Sequence, residues 1–280
     1  MVNESPDTPP PRKLRPTRRG QLVLLIGAVL VLAVAAAVLV PLLTREQGNE
    51  PTRSLLVPEG WRASQVYAAV NKVLDEPSGT TEKAVATADL PLPAAAKGNP
   101  EGYLFPATYP VTSGTTPESL LRYMVDTAVK RFGADHITAG AQRNGVTVYQ
   151  TVTVASIVQA EADTEPDMGK VARVVHNRLA RDMPLQMDST LNYALNRSTL
   201  DTTTGDTKID SPYNSYERKG LPPTPIGNPG EQAMVAAISP TPGPWLYFVT
   251  VAPGDTRFTA DYAEHQRNVA EFNRNRRGDG

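Results

Sequence analysis

Along the chain, stretches with apolar residues at helical spacing alternate with stretches where proline, glycine and small polar residues break it. The longest apolar run, "LVLLIGAVLVLAVAAAVLV" (22–40), holds one glycine and no polar side chain. At about 1.5 Å per residue it covers roughly the 30 Å hydrocarbon core of a bilayer. A leader cleaved near Ala33-Val34-Ala35 is the competing reading. The run exceeds an ordinary leader's apolar region and continues through that site, which favours an uncleaved span over 21–43. Arg12, Lys13, Arg15, Arg18 and Arg19 crowd the N-terminal flank, while Arg45 and Glu46 offset each other on the far side. The positive-inside rule therefore predicts a cytoplasmic, disordered basic tail over 1–20 and an extracytoplasmic chain beyond residue 45.

After a polar linker (44–54), "LLVPEGWRASQVYAAVNKVL" (55–74) predicts a short strand, a turn and a helix with Val66, Val70 and Val73 inward. An alanine- and proline-rich passage leads to "EGYLFPATYPV" (101–111), which predicts an extended segment packed on a surface. Leu121, Met124, Val125 and Ala128 mark a helix over 117–132, and Met168, Val171, Val175 and Leu179 mark another over 168–182. Between them, "TVTVASIVQAEADTEP" (151–166) reads as a helix ending near Thr164, because the residue before Pro166 is biased out of α. "MPLQMDSTLNYAL" (183–195) and a polar loop (196–210) precede "SPYNSYERKGLPPTPIGNPG" (211–230), a stiff proline- and glycine-rich stretch. Asn228, Pro229 and Glu231 fit the cap, first and third positions of a helix running to Ile238. "WLYFVTV" (245–251) predicts a strand paired through a Pro-Gly-Asp turn with "RFTA" (257–260), and a helix over 261–274 closes the chain. Segregated strands among helices predict an α+β fold.

One position conflicts with this patterning. At about 100° per residue Glu161 falls between Val154, Ile157 and Val158 on the apolar face, while Asp163 points to solvent. Two explanations stand side by side. Glu161 is a buried acid paired with Arg173, Arg178 or Arg181, or desolvation holds it protonated so that it can give and recover a proton. Glu165, four residues on, is the rival acid, and its place at the helix end argues for exposure. Ordinary glycoside hydrolysis uses two carboxylates; the second candidate here is Asp188 in "LQMDST". The glutamine, asparagine and tyrosines of "LQMDST" and "SPYNSY" (Gln186, Tyr213, Asn214, Tyr216) suit a carbohydrate, whose hydroxyls need donors and acceptors, and equally suit turn formation.

Composition narrows the chemistry. The 280 residues carry a net charge of −1, which leaves no electrostatic footprint for nucleic acid. With no cysteine there is no disulfide, thiol nucleophile or zinc-thiolate site. His136, His176 and His265 are far apart in sequence, and no metal-binding or phosphate-loop spacing occurs, so neither metal nor cofactor is expected.

Together, "EGYLFPATYPV", "ASIVQAEA", "VVHNRLARDMPLQMDSTLNYAL", "SPYNSYERKGLPPTPIGNPG", "AAISP", "YFV" and "EHQRNV" resemble the YceG-like family of endolytic murein transglycosylases (MltG type), over about 55–275. The resemblance implies a short LysM-like subdomain over 55–100 and a mixed α/β catalytic domain over 101–276. It implies Glu161 as the single catalytic acid and Gln186, Asp188, Ser189, Tyr213, Asn214 and Tyr216 as substrate-binding residues. The family often has a second glutamate at position 159, and Gln159 here leaves Glu161 as the acid. The implied reaction cleaves the MurNAc–GlcNAc β-1,4 bond and leaves a 1,6-anhydroMurNAc end, consuming neither water nor metal. The implied partners are peptidoglycan glycan strands, the inner membrane, and peptidoglycan synthases of the elongation or division machinery. A water-using muramidase and a non-catalytic wall-binding or division scaffold are the alternatives.

Overall fold

A computed structural model describes residues 53–199 and 202–278. The tail over 1–20, the span over 21–43 and most of the linker lie outside the described residues. Among the described residues no helix is long and apolar enough to cross a membrane.

The chain begins with strand β1 (Arg53–Leu56), helices α1 (Ala63–Val73) and α2 (Thr80–Thr87), and strand β2 (Thr108–Val111). The strands are antiparallel, with Arg53 opposite Val111 and Leu56 opposite Thr108. Val66 and Val70 of α1 are fully buried, as their spacing predicts, against Leu55, Tyr109 and Val111. Helix α2 lies in the alanine- and proline-rich passage, to which the sequence pattern assigned no element. Asn71 holds its start, accepting from the Thr81 N–H at 3.0 Å and the Thr81 hydroxyl at 2.6 Å. Residues 52–280 form one compact unit, and the partner of β1 lies beyond residue 100.

Helix α3 (Pro117–Phe132) has the predicted bounds: Thr116 caps it, Pro117 occupies its first turn, and Leu121, Met124, Val125 and Ala128 are fully buried. Helix α4 (Asp135–Arg143) was not legible; it packs small residues on a neighbour, and Gly140 approaches Ile238 so closely that a Cβ would lie 2.5 Å from that side chain. Helices α5 (Val148–Glu161) and α6 (Glu165–Ala180) follow. The second starts earlier than expected because Thr164 caps it, leaving Pro166 in the first turn where a missing N–H costs nothing. Helix α7 (Asp188–Ala194) and helix α8 (Glu231–Ile238) come next, then the hairpin β3 (Tyr247–Ala252) and β4 (Asp255–Thr259), and helix α9 (Tyr262–Gly278). The hairpin pairing matches expectation, and Arg257 ties it to α9 through Glu271.

Two local readings are corrected. "EGYLFPATYPV" does not lie on a surface, since Glu101, Tyr103, Leu104 and Phe105 are all buried. Asn228 is not a helix cap, because α8 starts at Glu231 with Gly230 before it. Asn228 is instead wholly buried: its Oδ1 accepts from the Leu104 N–H at 2.7 Å and its Nδ2 donates to the Trp61 carbonyl at 2.7 Å. It stitches the proline-rich loop to the turn after β1 and to the 101–105 segment. Gly102, at φ +84°, lies against Pro225, where a Cβ would come within 2.5 Å. Asn228→Ala strands a buried donor and is expected to cost about 1–3 kcal/mol of stability, to be checked by denaturant unfolding.

Candidate active site

Helix α5 is not amphipathic. Residues 151–158 are buried on every side, including Thr151, Thr153 and Ser156. Their hydroxyls turn back onto carbonyls of the same helix: Thr147 at 3.0 Å, Tyr149 at 3.0 Å and Thr153 at 2.8 Å. With that polarity satisfied internally, the helix can pass through the core. Glu161 is its last residue, where the buried rod reaches partial exposure. The expected stripe therefore does not exist; Glu161 is singled out by standing at the helix's mouth.

No cation pairs with Glu161 among the described residues. Arg173 donates to the carbonyls of Thr241 and Pro240. Arg178, itself buried, donates to the carbonyls of Leu246, Pro184 and Leu185 and to Gln186 Oε1. The contact to Glu161 comes from the Ser189 N–H, which donates to Oε1 at 3.2 Å. The Ser189 hydroxyl faces the same carboxyl without a bond of good geometry. Desolvation raises the Glu161 pKa; the nearby Asp188 charge adds to this, and Ser189 opposes it. Glu165 belongs to the next helix and is exposed.

Asp188 and Ser189 open α7, which is registered against the "SPYNSY" loop by Ser215. Its carbonyl accepts from the Gln186 N–H and its hydroxyl from the Met187 N–H, both at 2.9 Å. This alignment lets the Tyr216 hydroxyl donate to Asp188 Oδ1 at 2.5 Å, beside Glu161. Gln186 is exposed at φ +53°, its side chain held by Arg178. Tyr213 is half-buried; its hydroxyl meets Thr224 Oγ1 at 2.9 Å and its ring lies 4.9 Å from that of Tyr193. Asn214 departs from expectation. It is fully buried, its Nδ2 donates to the carbonyls of Thr207 and Ile209, and its Oδ1 accepts from the Tyr216 N–H. No polar group remains for a ligand, so Asn214 shapes the loop. Asn214→Ala is expected to lower the melting temperature through lost buried bonds of about 1 kcal/mol each.

Sequence reasoning missed Glu101, the first residue of "EGYLFPATYPV". It is 4% exposed; Oε1 accepts from the Ala63 N–H and Oε2 from the Tyr193 hydroxyl, both at 3.0 Å. Burial pushes its pKa up to about 7, against the pull of those donors and of Arg62. The only signal was an acid set directly before an aromatic and apolar run. Because the folded pKa lies above the unfolded value of 4.5, its contribution to stability is complete below pH 4.5 and is lost as pH rises through 7. At about 1.4 kcal/mol per unit that loss is on the order of 3 kcal/mol. Glu101→Gln should flatten the decline, so the difference in melting temperature between the two proteins should change across about pH 4.5–7 and hold constant above it.

Among the described residues no cluster of acidic or histidine side chains could hold a metal ion. A cavity of about 660 Å³ lined by Phe105, Lys130, Arg131, His136 and Met234, among others, includes none of the residues around Glu161.

A mixed α/β chain with a lone desolvated glutamate at the end of a buried helix matches the model of the YceG-like family over residues 33–271, and the chain belongs to that family. It is 37% identical over 174 residues to an endolytic murein transglycosylase of Bacillus subtilis (strain 168), covering 61% of this chain and 48% of that one. It is 39% identical over 177 residues to one of Streptococcus pneumoniae serotype 2 (strain D39), covering 61% and 32%. The chain thus spans half or less of the curated relatives it matches. The crystal structure of a yceG-like protein from Listeria monocytogenes superposes with a TM-score of 0.68 at 30% identity, covering 79% of this chain and 77% of that one.

Proposed function

We propose that the chain is an endolytic lytic transglycosylase of peptidoglycan, with Glu161 as its single general acid and base. The observation that carries this reading is the Glu161 carboxyl itself: desolvated, without a cationic partner, and contacted by one backbone N–H. Such a group is protonated closer to neutrality than an ordinary glutamate. It donates its proton to the glycosidic oxygen as the bond from that oxygen to MurNAc C1 breaks. The resulting carboxylate, stabilised by the Ser189 N–H, takes the proton of the MurNAc C6 hydroxyl as that oxygen bonds C1. The acid is regenerated, a 1,6-anhydro end forms, and no water is consumed. The Asp188 charge favours protonated Glu161 before the reaction and opposes its ionisation until the sugar develops positive charge. Gln186, Ser189, Tyr213 and Tyr216 offer the glycan polar and aromatic contacts around this point, and Asn214 supports their loop. Relatives named endolytic murein transglycosylases support the same chemistry.

The antiparallel pairing of β1 with β2 around α1 and α2 supports a LysM-like glycan-binding role for the N-terminal lobe. The apolar run at 22–40 supports a single-pass anchor in the cytoplasmic membrane, with residues 46–280 outside and positioned to meet nascent strands and their synthases. A mature N-terminus near Ala36 in membrane fractions would overturn the anchor.

Mass spectrometry of fragments released from glycan strands by the full chain tests the reaction: anhydro ends are expected, and reducing ends indicate a hydrolase. Glu161→Gln should lower turnover by at least about 10²–10⁴-fold with stability unchanged or slightly higher, since a buried ionisable group is removed. Glu165→Gln should keep activity. The reverse pattern would move the acid to Glu165.

A further inference from the structure

We infer that Glu101 and Tyr193 are a positioning pair that sets α7, and through it the Ser189 N–H, against the Glu161 carboxyl; this rests on Glu161 being the reacting acid. Ser189 and Tyr193 are four residues apart on α7 and so share one face, a turn apart. Ser189 contacts Glu161 at the upper turn, while the Tyr193 hydroxyl is bonded to Glu101 at the lower one. Glu101 cannot shift freely. Its other oxygen receives the N–H of the first residue of α1, and Gly102 beside it is wedged against Pro225. Arg62 closes the group, its guanidinium 5.3 Å over the Tyr193 ring and its NH2 donating to the Arg197 carbonyl. The Glu101 carboxyl accepts from the Ala63 N–H and the Tyr193 hydroxyl, with the Gly102 N–H close by and the Arg62 charge favouring its ionised form. The N-terminal lobe and the reacting carboxyl are thereby joined through one buried acid.

Tyr193→Phe keeps the ring and removes the bond to Glu101 together with the hydroxyl's approach to Thr224, and Glu101→Ala removes the other side of the bond alone. Glu101→Gln retains an acceptor for Ala63 and an amide that can donate to the tyrosine oxygen, so it serves as the conservative variant. Each full-length protein is compared by kcat and KM for anhydro-end release, by melting temperature, and by the Glu161 titration read from ¹³C-carboxyl spectra, assigned by the signal lost in Glu161→Gln. Tyr193→Phe and Glu101→Ala should lower kcat at least about tenfold with KM unchanged, as expected for small misplacement of a reacting group. Glu161 should titrate higher than in the wild type, because the Ser189 N–H is no longer held on it; Glu101→Gln should restore both. If Glu161 titrates in Tyr193→Phe as in the wild type, the pair does not set α7 and the inference is overturned, even should Glu101→Ala fail to fold. If wild-type protein releases no anhydro ends while the titration still moves, the proposed reaction falls and the positioning role stands.

Discussion

Residues 151–158 of helix α5 have no exposed side, and the remaining elements answer to that. A helix with one wet face can let its polar groups meet water, but one enclosed on all sides must satisfy or omit them. Here Val152, Val154, Ile157 and Val158 are fully buried, each contributing about 1.5–3 kcal/mol by leaving water. The hydroxyls of Thr151, Thr153 and Ser156 are turned inward to their own helix. Ser156 has a second task, accepting the Ile226 N–H at 3.0 Å, while Gln159 Oε1 accepts that of Gly230 at 3.0 Å. The proline-rich loop is therefore laid along the buried helix by two polar atoms that the helix would otherwise have to hide. Helices α6 and α8 cover the remaining sides.

This enclosure sets the chemistry available at the helix's end. A carboxyl at a helix C-terminus already sits at the unfavourable end of the macrodipole, and Glu161 adds desolvation and the neighbouring Asp188 charge to that handicap. A compensating arginine would remove the effect. The nearby Arg178 is instead committed to four oxygens of the 184–186 and 246 segments. The guanidinium builds the walls and leaves the acid alone.

One-sided helices were legible in the sequence. Residues of α1 and α3 face a core on one side and water on the other, so Val66, Val70, Leu121 and Met124 betrayed them by spacing. Helix α5 defeated that logic because its period carries no contrast; the reasoning reached Glu161 through a stripe that does not exist. Helices α2 and α4 went unseen since what they bury is mostly alanine, threonine and glycine, with Ile137 the one large apolar residue among them. Asn228 and Asn214 show the other limit. Local grammar made one a cap and the family resemblance made the other a ligand group, yet the partners of Asn228 lie 124 and 167 residues away and those of Asn214 are loop carbonyls. Glu101 carries no periodic signal at all, and its significance exists only once α1 and α7 meet.

The bonds of Asn228 also have a bearing on time. They close spans of 124 and 167 residues, and contacts of such separation form late because the intervening chain must first be ordered. A ribosome delivers the N-terminal lobe long before it delivers residue 228. The lobe waits, with the Leu104 N–H and the Trp61 carbonyl lacking their native partner, until residue 228 has been made. A nascent fragment that stops short of the proline-rich loop thus carries Glu161 without Tyr216 and the bond that it makes to Asp188.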